Sequence, residues 1–239
     1  MIPLRDNTSR TPVFPIAVYG IVLLNVIVFL REVELPTQAA RNAFIDGYAL
    51  IPYDLSHGVQ LAHAPPTILT LVTSQFLHGS ILHIFFNMLF FVVFGPEIEY
   101  LTGHVRFVAF YLLCGIAGGI AQFSVMPGSH VPGIGASGAI AGILGAYVVR
   151  FPTNSIETIV PIGCFPLFLR LPAILIIGVW AATQFMHGFA PLSTRVLSEQ
   201  GGDVAYFAHI GGFLCGVLLV GLFAKSAPRR QGRRYRYHH

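Results

Sequence analysis

The sequence predicts an all-α, polytopic membrane protein: one domain over residues 1–239 folded as a bundle of six transmembrane helices. Three observations predict it. Of 239 residues, 54% are hydrophobic and only 10% charged, with a mean hydropathy of +0.71, which is outside the usage of soluble domains. Six apolar stretches, near 13–31, 67–95, 105–126, 136–150, 171–189 and 204–225, suit a hydrocarbon core that takes about 20 helical residues to cross. With both termini cytoplasmic, Arg5, Arg10, Arg106, Arg150, Arg170, Lys225, Arg229, Arg230, Arg233, Arg234 and Arg236 fall inside and only Arg31, Arg41 and Arg195 outside, eleven against three.

The first helix follows Arg5 and Arg10 as a secretion signal does. Its apolar run is too long for one and no small-residue cleavage site follows, so it is expected to be retained. The outer segment from Glu32 to Pro66 mixes charges with Phe44, Tyr48, Leu50, Ile51 and Tyr53, a composition for a folded loop lying in the membrane interface. The second helix carries His83 and Asn87 on one face, because residues four apart stack along a helix. Cys114 in the third helix and Cys215 in the sixth lie in apolar runs, and Cys164 falls in a short cytoplasmic loop, so free thiols are expected and no disulfide framework.

The fourth helix, from Ala136 to Arg150, is too short to cross untilted and so starts below the outer surface. Irregular backbone such as VPGIGA is tolerated there because it lines water. Small residues at four-residue spacing, Gly138, Gly142 and Ala146 with Ala141 and Gly145, and Gly212 with Gly216 in the sixth helix, allow those two helices to meet backbone to backbone. The fifth helix holds the one tryptophan, Trp180. The closing run PRRQGRRYRYHH, within 226–239, reads as a basic cytoplasmic tail against anionic lipid headgroups rather than as a nucleic-acid site.

Polar side chains inside apolar spans are costly and therefore informative. Measured from the inner charged ends at about 1.5 Å per residue, Ser137, His209 and His83 all fall roughly 20–24 Å up, in one layer beneath the outer face. A serine hydroxyl becomes a nucleophile when a neighbouring base takes its proton, and histidine suits that task near neutral pH. Ser137 also opens a helix, where unpaired N–H groups and the dipole's positive end can hold an oxyanion, with His83 and Asn87 as further donors. No Asp or Glu in the spans is placed to orient His209, so the expectation is a dyad whose imidazole is supported by some other group. The dyad calls for no metal and no cofactor.

These residues resemble the rhomboid family of intramembrane serine proteases over nearly the whole chain. The resemblance rests on FLHGSILHIFFNMLF in the second helix, Gly95 and Glu99 after it, GASGAIAG at 135–142 and AHIGGFLCG at 208–216. It implies a six-helix bundle, a catalytic dyad of Ser137 and His209, oxyanion stabilisation by His83 and Asn87, and supporting roles for His78, Gly135 and Gly138. It implies cleavage of transmembrane protein substrates near their outer ends. A multi-pass location in a prokaryotic cell (plasma or inner) membrane is expected from the compact loops and the absence of transit or retention signals.

Two departures stand out. Many members carry an aromatic residue four positions after the nucleophile, stacked on the histidine, where this chain has Ala141. The Trp-Arg pair of the first outer loop in many bacterial members is absent. The alternative function is a catalytically weak or inactive relative that binds transmembrane clients. A metalloprotease built on His78, His83 and His209 lacks H-E-x-x-H and an intramembrane carboxylate. A transporter lacks paired intramembrane charges and matched broken helices. Helix five with Trp180 and Phe185, and the cap from Ala190 to Asp203, are expected to form the gate for substrate and water.

Overall fold

The computed structural model describes residues 1–8, 13–62, 64–162, 165–193 and 205–225. The basic tail 226–239, Cys164, Arg10, Arg195 and residues 194–203 of the expected cap lie outside the described residues.

The chain begins with β1 (Ile2–Asp6) and enters α1 (Ile16–Val33). Helix α1 has no side-chain cap of its own. Its first N–H groups are accepted from across the bundle, where the Glu99 carboxylate takes those of Ala17 and Val18 at 2.9 and 2.8 Å and also pairs with His104. Gly95, one turn before Glu99, makes room for this crossing, since a Cβ there would lie 2.9 Å from Val18 Cγ2. The GxxxE pattern of the sequence therefore ties the start of α1 to the helix that carries Glu99.

The segment after α1 is folded. Helix α2 (Gln38–Tyr48) is capped by Thr37, whose Oγ1 accepts the Ala40 N–H at 3.1 Å, and α3 (Pro52–His57) ends at Gly58 with φ +64°. Ala49, Ile51 and Leu77 form a small core there, with Phe44, Tyr48 and Tyr53 against it. The loop is held without a Trp-Arg pair. Leu50 and Gly133 exchange backbone hydrogen bonds of 3.0 and 2.8 Å, Thr73 Oγ1 donates to the Tyr48 carbonyl at 2.7 Å, and Arg41 donates to the Gly79 carbonyl at 3.2 Å.

The single helix expected over 67–95 is two pieces. A short helical stretch, Thr67–Phe76, contains α4 (Thr70–Thr73) between two 3₁₀ turns. Leu77 is extended, Ser80 caps a new start by accepting the His83 N–H at 3.1 Å, and α5 runs from Ile81 to Thr102. The break arises because Ser80 offers its hydroxyl to the backbone in an extended conformation, which competes with helix continuation. Helix α5 passes Pro96 and stops at Gly103, whose φ of +84° suits only glycine. Then come α6 (His104–Val125), α7 (Ser137–Arg150), α8 (Ala173–Ser193) and α9 (Tyr206–Phe223).

The all-α expectation is corrected between α7 and α8. Strands β2 (Ser155–Ile162) and β3 (Phe165–Pro172) pair antiparallel, and β2 pairs with β1 to give a sheet of order β1-β2-β3. Residues Ile156 and Thr158 alternate with exposed or half-buried neighbours and are fully buried, and prolines at 161, 166 and 172 disfavour a helix there. The sheet is locked to α7 by Asp6, whose carboxylate accepts from the Tyr147 hydroxyl and, at 3.0 Å, from Asn154 Nδ2.

Helices α1, α5, α6 and α9 are each long and apolar enough to cross a membrane; α7 and the apolar part of α8 are shorter. Helix α7 is the hub. Ten of its residues, from Gly138 to Tyr147, are buried, whereas α1 and α9 expose Leu23, Ile27, Leu218 and Leu222 outward, as a lipid-facing ring does.

Candidate active site

Ser137 is the first residue of α7, and the first intrahelical bond is donated by Ile140 to the Ala136 carbonyl at 2.9 Å. The N–H groups ahead of Ile140 thus have no acceptor within the helix and face the region around the Ser137 hydroxyl. The turn that delivers Ser137 depends on Gly135. Its φ is +118°, its N–H is donated to the Ser74 carbonyl at 2.8 Å, and a Cβ on it would lie 2.8 Å from His83 Nε2 and 3.5 Å from Asn87 Nδ2. Only glycine permits both this conformation and the close approach of the His83 ring.

His209 sits in the first turn of α9, buried, with Nε2 at 2.7 Å from Ser137 Oγ. Backbone contact between α7 and α9 sets that distance. A Cβ on Gly212 would overlap the Gly138 carbonyl, one on Gly216 would overlap the Gly142 carbonyl, and one on Gly145 would overlap the Phe213 carbonyl. Gly138 follows Ser137 and Gly212 lies three residues after His209, so one of the close backbone contacts is beside the Ser-His pair. Helix α6 seals the other flank, where a Cβ on Gly118 would lie 2.5 Å from the Ala208 carbonyl oxygen.

On α5, His83 and Asn87 face Gly135, two residues before Ser137. The fully buried His78 meets Asn87, with Nε2 at 3.0 Å from Asn87 Nδ2, and its ring stands 5.0 Å from that of His83 at 66°. An amide nitrogen has two hydrogens, so Asn87 gives one to His78 and keeps another. The His78 backbone N–H is donated at 3.0 Å to Glu32 Oε1, a carboxylate buried at the end of α1. Ser137, His209, His83, Asn87, His78, Gly135 and Gly138 are therefore brought into one cluster.

Two participants, Glu32 and Gln184, escaped the sequence reading, and Trp180, read there as part of the gate, also reaches His209. Glu32, read as the first residue of the outer loop, is the last-turn residue of α1 that holds the chain between α4 and α5. Gln184 places Oε1 at 2.7 Å from His209 Nδ1, and Trp180, one turn earlier on α8, packs its ring 5.8 Å from the imidazole at 41°. The available signal was an amide in an apolar helix four residues after the lone tryptophan, which puts both on one face. Chemically, the cluster aligns a hydroxyl, an imidazole whose far nitrogen has its own acceptor, and a concentration of N–H donors at a helix start.

The Rhomboid domain of the protein-family collections matches residues 65–226, which contain every residue of this cluster except Glu32. The chain is 28% identical over 174 residues to Rhomboid protein 1, mitochondrial, of Saccharomyces cerevisiae, covering 70% of this chain and 45% of that protein. It is 45% identical over 76 residues to the rhomboid protease GluP of Bacillus subtilis, covering 32% and 14% respectively. It is 28% identical over 145 residues to the inactive RHOMBOID-like protein 8 of Arabidopsis thaliana, covering 60% and 35%. In each case the match spans less than half of the relative's length. With the domain matched over more than half of its residues, this chain belongs to the Rhomboid family, which includes intramembrane serine proteases.

Proposed function

We propose that this chain is a rhomboid-type serine endopeptidase that hydrolyses peptide bonds in or near transmembrane segments of membrane proteins. The 2.7 Å approach of His209 Nε2 to Ser137 Oγ at the start of α7 carries this reading. Ser137 Oγ attacks the scissile carbonyl while its proton passes to His209 Nε2. The oxyanion is held by N–H groups at the start of α7 with His83 and Asn87, and the imidazolium protonates the leaving amine. Water, deprotonated by the same nitrogen, releases the acyl group. Gly135 and Gly138 admit the backbone to this geometry, and His78 orients Asn87.

In this reading α7 and α8 complete six crossings with both termini cytoplasmic in a plasma membrane, supported by the eleven-to-three distribution of basic residues. The substrate helix enters beside α8, past Trp180 and Phe185, and unwinds locally to reach Ser137. Its partners are the lipid bilayer and transmembrane substrates. A second reading, client binding without cleavage, is favoured by one observation, the match to a relative named inactive.

The test is cleavage of model transmembrane substrates in proteoliposomes with EDTA present. Wild-type cleavage that disappears in both Ser137→Ala and His209→Ala is the expected result. Equal behaviour of all three on several substrates supports client binding instead. Crosslinking α8 to α5 should block entry; unchanged cleavage overturns the gate.

A further inference from the structure

An imidazole acts as a base through one nitrogen only when the other carries the proton, so a partner for His209 Nδ1 decides whether Nε2 presents a lone pair to Ser137. The dyad alone leaves that choice open. In this chain the partner is an amide. Gln184 Oε1 lies 2.7 Å from Nδ1, and the direction of the amide is set by its other end. Gln184 Nε2 faces the Trp180 carbonyl at 3.4 Å and Thr183 Oγ1 at 3.1 Å, and that hydroxyl itself donates to the Trp180 carbonyl at 2.6 Å. Both neighbours of Nε2 are acceptors. The nitrogen belongs on their side, and the oxygen therefore faces the imidazole.

Trp180 adds a steric constraint. Its ring lies 5.8 Å from His209 at 41° and 6.3 Å from Phe213, so the imidazole is flanked from α8. Helix α7 offers only the methyl group of Ala141 at the position where the family resemblance places an aromatic.

We propose that Gln184 is a positioning residue that holds His209 in its Nδ1–H tautomer with Nε2 toward Ser137, and that Trp180 of the same helix seats the ring in place of an aromatic at 141. The proposal rests on the Ser137–His209 reading and deepens it. A carboxamide serves this role in a bilayer without a buried charge, which a carboxylate would bring. Because both residues belong to α8, displacement of α8 by an entering substrate also loosens the base.

Two measurements test it. The first is ¹⁵N-histidine NMR in proteoliposomes, with the His209 signals assigned by their loss in His209→Phe. The wild type should show the Nδ1–H tautomer and Gln184→Leu a mixture; an Nε2–H wild type overturns the proposal whether or not the chain cleaves anything. The second is kinetics against pH. Gln184→Leu should lower kcat by about 10- to 100-fold with KM nearly unchanged. Gln184→Glu should keep activity and move the acid limb of the profile to higher pH, because a carboxylate favours the imidazolium. Trp180→Ala should lower kcat and Trp180→Phe restore most of it. If Gln184→Leu cleaves with wild-type kcat and pH profile, the proposal fails while the dyad stands; if the wild type cleaves nothing, the dyad reading fails and the tautomer still decides the proposal.

Discussion

Asn87 is the residue whose surroundings say most about how the site is held. Its amide is pinned at 3.0 Å by His78, which is itself anchored through its backbone to the buried Glu32 on α1. One amide hydrogen is occupied, and the other is the one proposed to hold an oxyanion. Asn87→Ala should therefore lower kcat by about 10²- to 10³-fold with little change in KM, measured on a cleaved transmembrane substrate. A change confined to KM would place Asn87 in substrate binding instead. His83 and Asn87 were legible in the sequence because four-residue spacing on a helix needs no tertiary information. Glu32 and Gln184 were not, since a carboxylate near a predicted loop and an amide in an apolar run acquire meaning only from the atom they face.

At the scale of elements, the decisive contact is α7 against α9. The glycines at 138, 142, 212 and 216 let backbone meet backbone, and the Ser-His distance is a consequence of that approach. Gly212→Leu should separate the helices and abolish cleavage. Gly221→Leu, on the same helix but with open space around its Cβ, should leave cleavage near wild type. Equal loss in both variants would point to general damage of α9. The small-residue stripes were readable beforehand, and so were the positions of α1, α6, α7, α8 and α9 to within a few residues. The division of the second span was missed because Leu77, Ser80 and Ile81 fit a helical pattern by hydropathy, whereas the Ser80 cap and the Glu32 carboxylate pull the chain out of it. The pairing of β1 with β2 was missed because it joins the N-terminus to the α7–α8 connection over about 150 residues, which no local window contains; the β2–β3 hairpin is local, and its only sequence marks are prolines and a short alternation.

For the whole molecule, the arrangement places α2 and α3 at the Ser137 end and the β-sheet at the Arg150 end of the bundle. The orientation proposed from the basic residues puts the first of these outside. A cysteine introduced at exposed Asn42 should react with a membrane-impermeant maleimide in right-side-out vesicles, and one at exposed Leu4 should react only after permeabilisation, each read against the unmodified chain. The reverse pattern would invert the orientation and place the site beneath the opposite face. Composition, the run lengths of apolar residues and the placement of arginines were enough to determine a multi-helix membrane protein, and the motifs around Ser137, His209, His83 and Asn87 its family, because solvation by lipid and helical periodicity act through local sequence. Only the tertiary structure decided that a sheet closes one end, that the second span is divided, and that Gln184 and Trp180 reach His209 from α8. Those features depend on which distant side chains satisfy a buried polar atom, and that choice is made when the helices pack.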